Sequence, residues 1–180
     1  MIIGNYLAYK GWIKIINYAK IKDKDIVNGE GIRVSIFFSG CNFRCENCFN
    51  SELWDFNYGA PFTSDTIGQI LKLLEPNYIS GLSILGGEPL HQDRNVLQKL
   101  LAAVKKAEPN KNIWLWTGYD FEEIPKDYSF IFDYIDVFIT GRYVDKLKDL
   151  TLKFRGSSNQ KIWRKSIMPP MHEVEWQCYE

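Results

Sequence analysis

Four short apolar runs set the limits on this chain's fold: "RVSIFFS" (33–39), "GLSILGG" (81–87), "NIWLWTG" (112–118) and "YIDVFITG" (134–141), each closing at a Ser or Gly. Runs of this length, rich in branched and aromatic side chains and bounded by turn formers, read as buried strands. The first two are separated by "PFTSDTIGQILKLLEP", where Thr63 or Ser64 supplies an N-cap and Ile67, Ile70, Leu71 and Leu74 recur at helical spacing until Pro76. The next two flank "HQDRNVLQKLLAAVKKAEP", with Leu97, Leu100, Leu101 and Val104 on one face. Lys105 and Lys106 sit near its C-terminal end, where the helix dipole favours cations. Strand and helix alternating in this way predict right-handed parallel crossovers, hence an α/β fold. A closed eight-stranded barrel does not fit within 180 residues. The expectation is an open, partial (β/α) barrel with a mostly parallel sheet, its ligands beyond the carboxyl ends of the strands.

Lys plus Arg equals Asp plus Glu at 22 each, so no global field draws the chain to nucleic acid or an anionic membrane. The apolar start, "MIIGNYLAYKGWIKIINYAK", is interrupted by Lys10 and Lys14 and carries no small-residue cleavage site. A soluble cytoplasmic protein is expected, a setting in which a disulfide framework is disfavoured. With no internal repeat and no linker composition, one continuous domain is sufficient.

Three of the four cysteines, Cys41, Cys45 and Cys48, fall within "SGCNFRCENCFNSELW" (39–54) with the spacing C-x3-C-x2-C; Cys178 is remote. They follow the first apolar run, and "GGEP" (Gly86, Gly87, Glu88, Pro89) ends the second, which puts both motifs on one rim of the sheet. A structural zinc site needs four closed ligands, and the only histidines are His91 and His172. His91 is a conceivable fourth ligand for zinc. Clustered thiolates also suit iron and sulfide, where three cysteines leave one iron of a four-iron cubane open to bind and activate something. A four-ligand electron carrier using Cys178 is the alternative.

C-x3-C-x2-C followed by a strand ending in "GGEP" resembles the radical S-adenosylmethionine enzymes. The segments "DIVNGEGIRVSIFFSGC" (25–41), "CFNSELWDFNYGAPFT" (48–63), "LSILGGEPLHQDRNV" (82–96), "IWLWTGY" (113–119) and "FRGSSNQ" (154–160) narrow this further. In this order they resemble the activating proteins of anaerobic ribonucleoside-triphosphate reductases, from about Asn17 to Gln160. The resemblance implies a 4Fe-4S cluster on Cys41, Cys45 and Cys48, with S-adenosyl-L-methionine chelating the open iron. Reductive cleavage then yields methionine and a 5'-deoxyadenosyl radical, which takes a hydrogen atom from a glycine of the large reductase subunit. A flavodoxin-type electron donor is implied as well. Residues 17–163 would form the catalytic domain, between an N-terminal extension (1–16) and a C-terminal tail (164–180).

The cofactor contacts expected are Asn47, Cys48, Phe49, Gly86, Gly87 and Glu88, and no side chain is assigned as a catalytic acid, base or nucleophile. Gly86 and Gly87 would let backbone approach the cofactor. Glu88 would place a carboxylate near its ammonium group. Phe49 packs on the cluster or adenine, or else belongs to the core. Asn28, Gly29 and Gly31 form a turn near the cofactor, Arg33 is a candidate for an ion pair, and Thr117 faces the cofactor or serves the strand end. "FRGSSNQ" reads as a docking or lid loop without catalysis. Two positions depart from the family pattern: Asn47 stands where many relatives have an aromatic residue, and Thr140 where an acidic one is frequent. The alternatives are activation of another glycyl-radical enzyme, small-molecule radical chemistry, a non-enzymatic iron-sulfur carrier and a zinc module.

Overall fold

The computed structural model describes residues 16–165 and 172–173. Cys178, most of the N-terminal extension and most of the C-terminal tail lie outside the described residues. The elements are β1 (Asn17–Asp25), β2 (Ile32–Phe38), β3 (Ala60–Pro61), α1 (Ser64–Leu74), β4 (Ile79–Gly86), α2 (Arg94–Ala107), β5 (Asn112–Trp116), α3 (Ile131–Tyr134), β6 (Val137–Thr140), β7 (Lys161–Arg164) and β8 (His172–Glu173). They build one open sheet in the order β3-β1-β2-β4-β5-β6-β7-β8.

The four central strands β2, β4, β5 and β6 run parallel. Antiparallel strands extend them on both sides, so the sheet is mixed with a parallel centre. The apolar runs locate that centre because a parallel strand is covered on both faces and reads as continuously hydrophobic. The flanking strands escape this criterion. β1, "NYAKIKDKD", carries three lysines and two aspartates, and bulges interrupt its pairing with β2. Its pattern is that of a half-exposed edge element. The run from Tyr134 also starts too early, since residues up to Tyr134 form α3 and β6 begins only at Val137. Between them, Asp136 accepts from Ile113 N at 2.8 Å and pairs with Lys105 at 2.8 Å.

The helices cover one face of the sheet. Ile70 and Leu74 of α1 and Leu97, Leu100, Leu101 and Val104 of α2 pack against Val34, Ile36, Leu82, Ile84, Ile113 and Leu115. Helix α1 begins after Thr63, one of the two N-caps read from the sequence, and α2 begins after Asp93, whose side chain accepts from Asn95 N at 2.8 Å. Alternate residues of the same strands point to the opposite, helix-free face, where Phe37, Leu85 and Trp116 form one cluster with Leu53 and Trp114, Val137, Ile139 and Ile162 form another.

Near the amino ends of the strands that face is closed by Arg33, fully buried and stacked on Trp114 at 5.1 Å. Its guanidinium donates to Ser83 Oγ (2.6 Å), Asn112 Oδ1 (2.7 Å) and Leu82 O (2.8 Å). Neutral oxygens thus take the place of the ion pair expected for Arg33. Burial lowers its pKa to about 10, a value at which it stays charged at neutral pH. The turn through Asn28, Gly29 and Gly31 folds over this plug: a Cβ at Gly29 would sit 2.8 Å from Arg33 Cδ. No helix among the described residues is long and apolar enough to cross a membrane.

Leu100 is fully buried between α2 and the sheet. Leu100→Ala should lower unfolding stability by about 2–5 kcal/mol through lost burial and a residual cavity. Urea denaturation should show this as a lower midpoint at unchanged slope.

Candidate functional site

The carboxyl ends of β2, β4, β5 and β6 open onto a cavity of about 540 Å³ on the helix-free face. Cys41, Cys45, Cys48, Phe49, Gly86, Gly87 and Glu88 all line it, together with Phe37, Leu85 and Trp116 from the strands. Asn47 is not in the lining. Two motifs almost 40 residues apart meet here because β2 and β4 are neighbouring parallel strands, paired Phe37 with Leu85 and Phe38 with Gly86.

Backbone hydrogen bonds join the two motifs directly. Gly87 N donates to Phe38 O at 2.7 Å, and Glu88 N donates to Gly40 O at 2.9 Å. The approach is so close that only glycine is accommodated. A Cβ at Gly86 would lie 2.4 Å from Phe38 O, and one at Gly87 would lie 2.6 Å from Gly40 O and 2.7 Å from Leu53 O. Gly86 also adopts φ +122, a conformation that side chains rarely tolerate. The two glycines are therefore required by the packing of the cysteine loop on β4, whatever occupies the cavity.

Glu88 has a structural task at the same seam. Its side chain is 1% exposed, and its carboxylate accepts from Leu90 N (2.9 Å), Thr117 Oγ1 (2.9 Å) and Gly118 N (2.7 Å). Thr117 thereby serves the strand end. Burial raises the Glu88 pKa to about 7, against the effect of its three donors. Thr140, also buried, accepts from Trp163 Nε1 at 3.0 Å and so secures β6 to β7.

The three thiols are free of disulfides. Burial pushes Cys41 up to about 11 and raises Cys45, which keeps both protonated until a cation compensates for desolvation. Among the described residues, no three His, Cys, Asp or Glu side chains form a group that could hold a metal ion as they stand. A single zinc ion needs its ligands to converge on one point at ~2.3 Å. A four-iron cluster carries its ligands on separate irons and is surrounded rather than gripped. Three free thiols lining one cavity are the donors that a 4Fe-4S cluster would need. His91 does not join them: its Nδ1 accepts from Asn42 N at 3.1 Å, and its Nε2 lies 3.2 Å from Tyr119 Oη.

Phe49 is 64% exposed, which rules out the core position considered for it. Its ring packs edge-on against Tyr143 at 5.6 Å. Asn47 has φ +51, in the left-handed region that Asn tolerates better than an aromatic residue does. That conformation gives a physical reason for the departure at this position.

"FRGSSNQ" forms part of the cavity wall through Phe154, Arg155, Gly156 and Gln160. Gln160 organises it, accepting from Gly156 N at 2.8 Å and donating to Gly141 O at 2.9 Å. The sequence reading missed Lys20 and Lys22 of β1 and Arg142, Tyr143, Leu150 and Leu152 of the loop after β6, all of which line the cavity. The alternation of lysines in β1 was a usable signal. The loop had none, because it has no periodicity.

Residues 27–163 match a family model described as a 4Fe-4S single cluster domain. The chain is 42% identical over 149 residues to the anaerobic ribonucleoside-triphosphate reductase-activating protein of Enterobacteria phage T4, covering 82% of this chain and 94% of that protein. It is 40% identical over 150 residues to the protein of the same name from Escherichia coli K12, covering 82% and 97%. The Haemophilus influenzae protein of that name is 38% identical over 152 residues, covering 83% and 98%.

Two outcomes test the seam. Gly87→Ala should destabilise the protein by about 1–3 kcal/mol, since backbone on both sides must shift; an unchanged melting temperature would contradict this. Because the folded-state pKa of Glu88 is raised from 4.5 to about 7, its contribution to stability is fully present below 4.5 and is lost as pH rises through 7. Thermal melts of the metal-free protein across this range should show that decline, and it should be absent in Glu88→Gln. The matches over most of its length give one result: this chain, with a 4Fe-4S single cluster domain over residues 27–163, belongs to the family of anaerobic ribonucleoside-triphosphate reductase-activating proteins.

Proposed function

We propose that this chain activates an anaerobic ribonucleoside-triphosphate reductase by leaving a radical on a glycine of that protein. The observation that carries the reading is the opening of Cys41, Cys45 and Cys48 onto one cavity that the Gly86–Gly87 strand end also lines. The open sheet, with the cavity at the carboxyl ends of its parallel strands, supports a partial barrel of the radical S-adenosylmethionine type.

In this reading the three thiolates hold a 4Fe-4S cluster and S-adenosylmethionine lies beside it. When bound, the cluster supplies the electron that cleaves S-adenosylmethionine to methionine and a 5'-deoxyadenosyl radical, the species that takes the glycine hydrogen. The electron enters from a flavodoxin-type reductant. The chain's own residues bind, orient and exclude water. Backbone around Cys48, Phe49, Gly86 and Gly87 offers the cofactor hydrogen-bonding groups, and the exposed Phe49 ring offers an apolar face. Asn47 contributes backbone only, and Glu88 acts through the loops it holds. Trp116, Phe37 and Leu85 form an apolar floor.

The mouth of the cavity suits a protein substrate. Val27, Phe49 and Leu150 line it and are 67%, 64% and 78% exposed, an apolar rim of the kind that marks an interaction surface. A glycine-bearing loop of the reductase docks there.

Anaerobic reconstitution with iron and sulfide, followed by dithionite and S-adenosylmethionine, should yield 5'-deoxyadenosine, and Cys45→Ala should abolish it. Adding the reductase should produce a glycyl doublet in electron paramagnetic resonance. Cleavage without the doublet would redirect the reading to another substrate, and a loaded cluster that never cleaves the cofactor would favour an electron carrier. Leu150→Glu should retain cleavage but weaken reductase binding about tenfold, equivalent to ~1.4 kcal/mol of docking energy.

A further inference from the structure

The cysteine loop from Cys41 to Asn50 contains no helix or strand, and Arg44 and Asn47 within it both have left-handed backbone. Its two halves have different main supports, with Arg142 of the loop after β6 also lying 4.5 Å over the Phe43 ring of the first half. The first half rests on the β4 and β5 ends: Gly40 O accepts from Glu88 N and from Gln92 Nε2 at 3.2 Å, and Phe43 packs on His91 and Tyr119 at 4.8 and 4.9 Å. The second half, which bears Cys45 and Cys48, meets the loop that follows β6. There Asn47 Nδ2, in the turn between Cys45 and Cys48, donates to Asp145 Oδ2 at 2.8 Å. The other oxygen, Asp145 Oδ1, accepts from Tyr143 Oη at 2.7 Å. Phe49 packs against Tyr143, and Lys148 Nζ lies 5.0 Å above the Phe49 ring.

One carboxylate thus joins the turn between Cys45 and Cys48 to Tyr143, whose ring packs on Phe49 just after Cys48. We propose that Asp145 is a positioning residue for this turn. Through Asn47 and Tyr143 it fixes Cys45 and Cys48 relative to Cys41, whose own backbone N–H is held by Trp54 O at 3.2 Å. The position of Asn47 requires left-handed backbone and a side-chain donor together, and Asn supplies both. This inference rests on the reading that the three thiolates hold a cluster, but its first test needs none.

Three variants separate the contributions. Asp145→Ala removes the acceptor. Asn47→Gly keeps the backbone conformation and removes the donor. Asp145→Asn keeps both contacts, since its Oδ1 accepts from Asn47 while its Nδ2 donates to the Tyr143 hydroxyl, which can also accept. In the reduced, metal-free protein, alkylation by iodoacetamide read by peptide mass spectrometry should be several-fold faster at Cys45 and Cys48 in Asp145→Ala and Asn47→Gly. Cys41 should be unchanged, and Asp145→Asn should match the parent. The double variant Asp145→Ala with Asn47→Gly should be no faster than either single one.

Uniform acceleration at all three cysteines, or none, would overturn the proposal. In the reconstituted protein the same two variants should release iron to a chelator several-fold faster and shift the reduced cluster's paramagnetic spectrum, with Asp145→Asn restoring both. A parent protein that takes up no cluster would refute the functional reading, while the alkylation pattern would still decide the role of Asp145.

Discussion

A carboxylate at the carboxyl end of β4 ties together the strand ends on which the site depends. Glu88 receives Thr117 and Gly118 from the end of β5 through its side chain, and its backbone N–H reaches Gly40 at the end of β2. Thr117 N in turn donates to Ile139 O of β6 at 2.9 Å. Four parallel strands are thereby held in register where the chain leaves the sheet. Loops are otherwise the least constrained parts of a fold, and a buried acceptor that gathers several N–H and O–H donors is an economical way to hold them. Leaving those donors unpaired in a buried setting would be expensive, so the arrangement persists or fails as a unit.

The two faces of the sheet divide the labour. Helices α1 and α2 cover one face with an aliphatic core, while the other carries the Arg33 plug at its amino end and the cavity at its carboxyl end. Arg33 fills the space between neighbouring strands with a charged group whose hydrogen bonds run to neutral oxygens, and Trp114 stacks on it. The plug fills the amino end of the helix-free face. The cavity is lined by the exposed Phe49 and Leu150 and, from the turn before β2, by Val27, with Lys20 and Lys22 of β1.

The cysteine loop itself is suspended between rigid and exposed supports. Cys41 is buried beside the glycine seam, whereas Cys45 and Cys48 are partly exposed and lean on the loop after β6. That asymmetry matches a site in which one side is foundation and the other side is rim. It also explains why the glycines of "GGEP" are needed before any ligand arrives, since backbone of β2 and of the loop at Leu53 already fills the space a Cβ would take.

Much of this was legible in the residues. The four apolar runs located the parallel strands because continuous hydrophobicity is the signature of a strand covered on both faces. The helical spacing of Leu97, Leu100, Leu101 and Val104 gave α2, and the cysteine spacing pointed to the donor set. The antiparallel flanks were not legible, because β1 and β7 are half-exposed and partly charged. Neither was the part played by Glu88: the sequence identifies a carboxylate after two glycines, but only the approach of β5 reveals the donors that claim it. Asp145 is separated from Asn47 by almost 100 positions and lies in a loop without periodicity. Sequence alone therefore determined the class of fold, the family and the chemical kind of the site, because these follow from local patterns of hydrophobicity and ligand spacing. Tertiary structure decided which side chains meet, since a hydrogen bond between distant residues depends on strand order and loop path, and no local pattern records either.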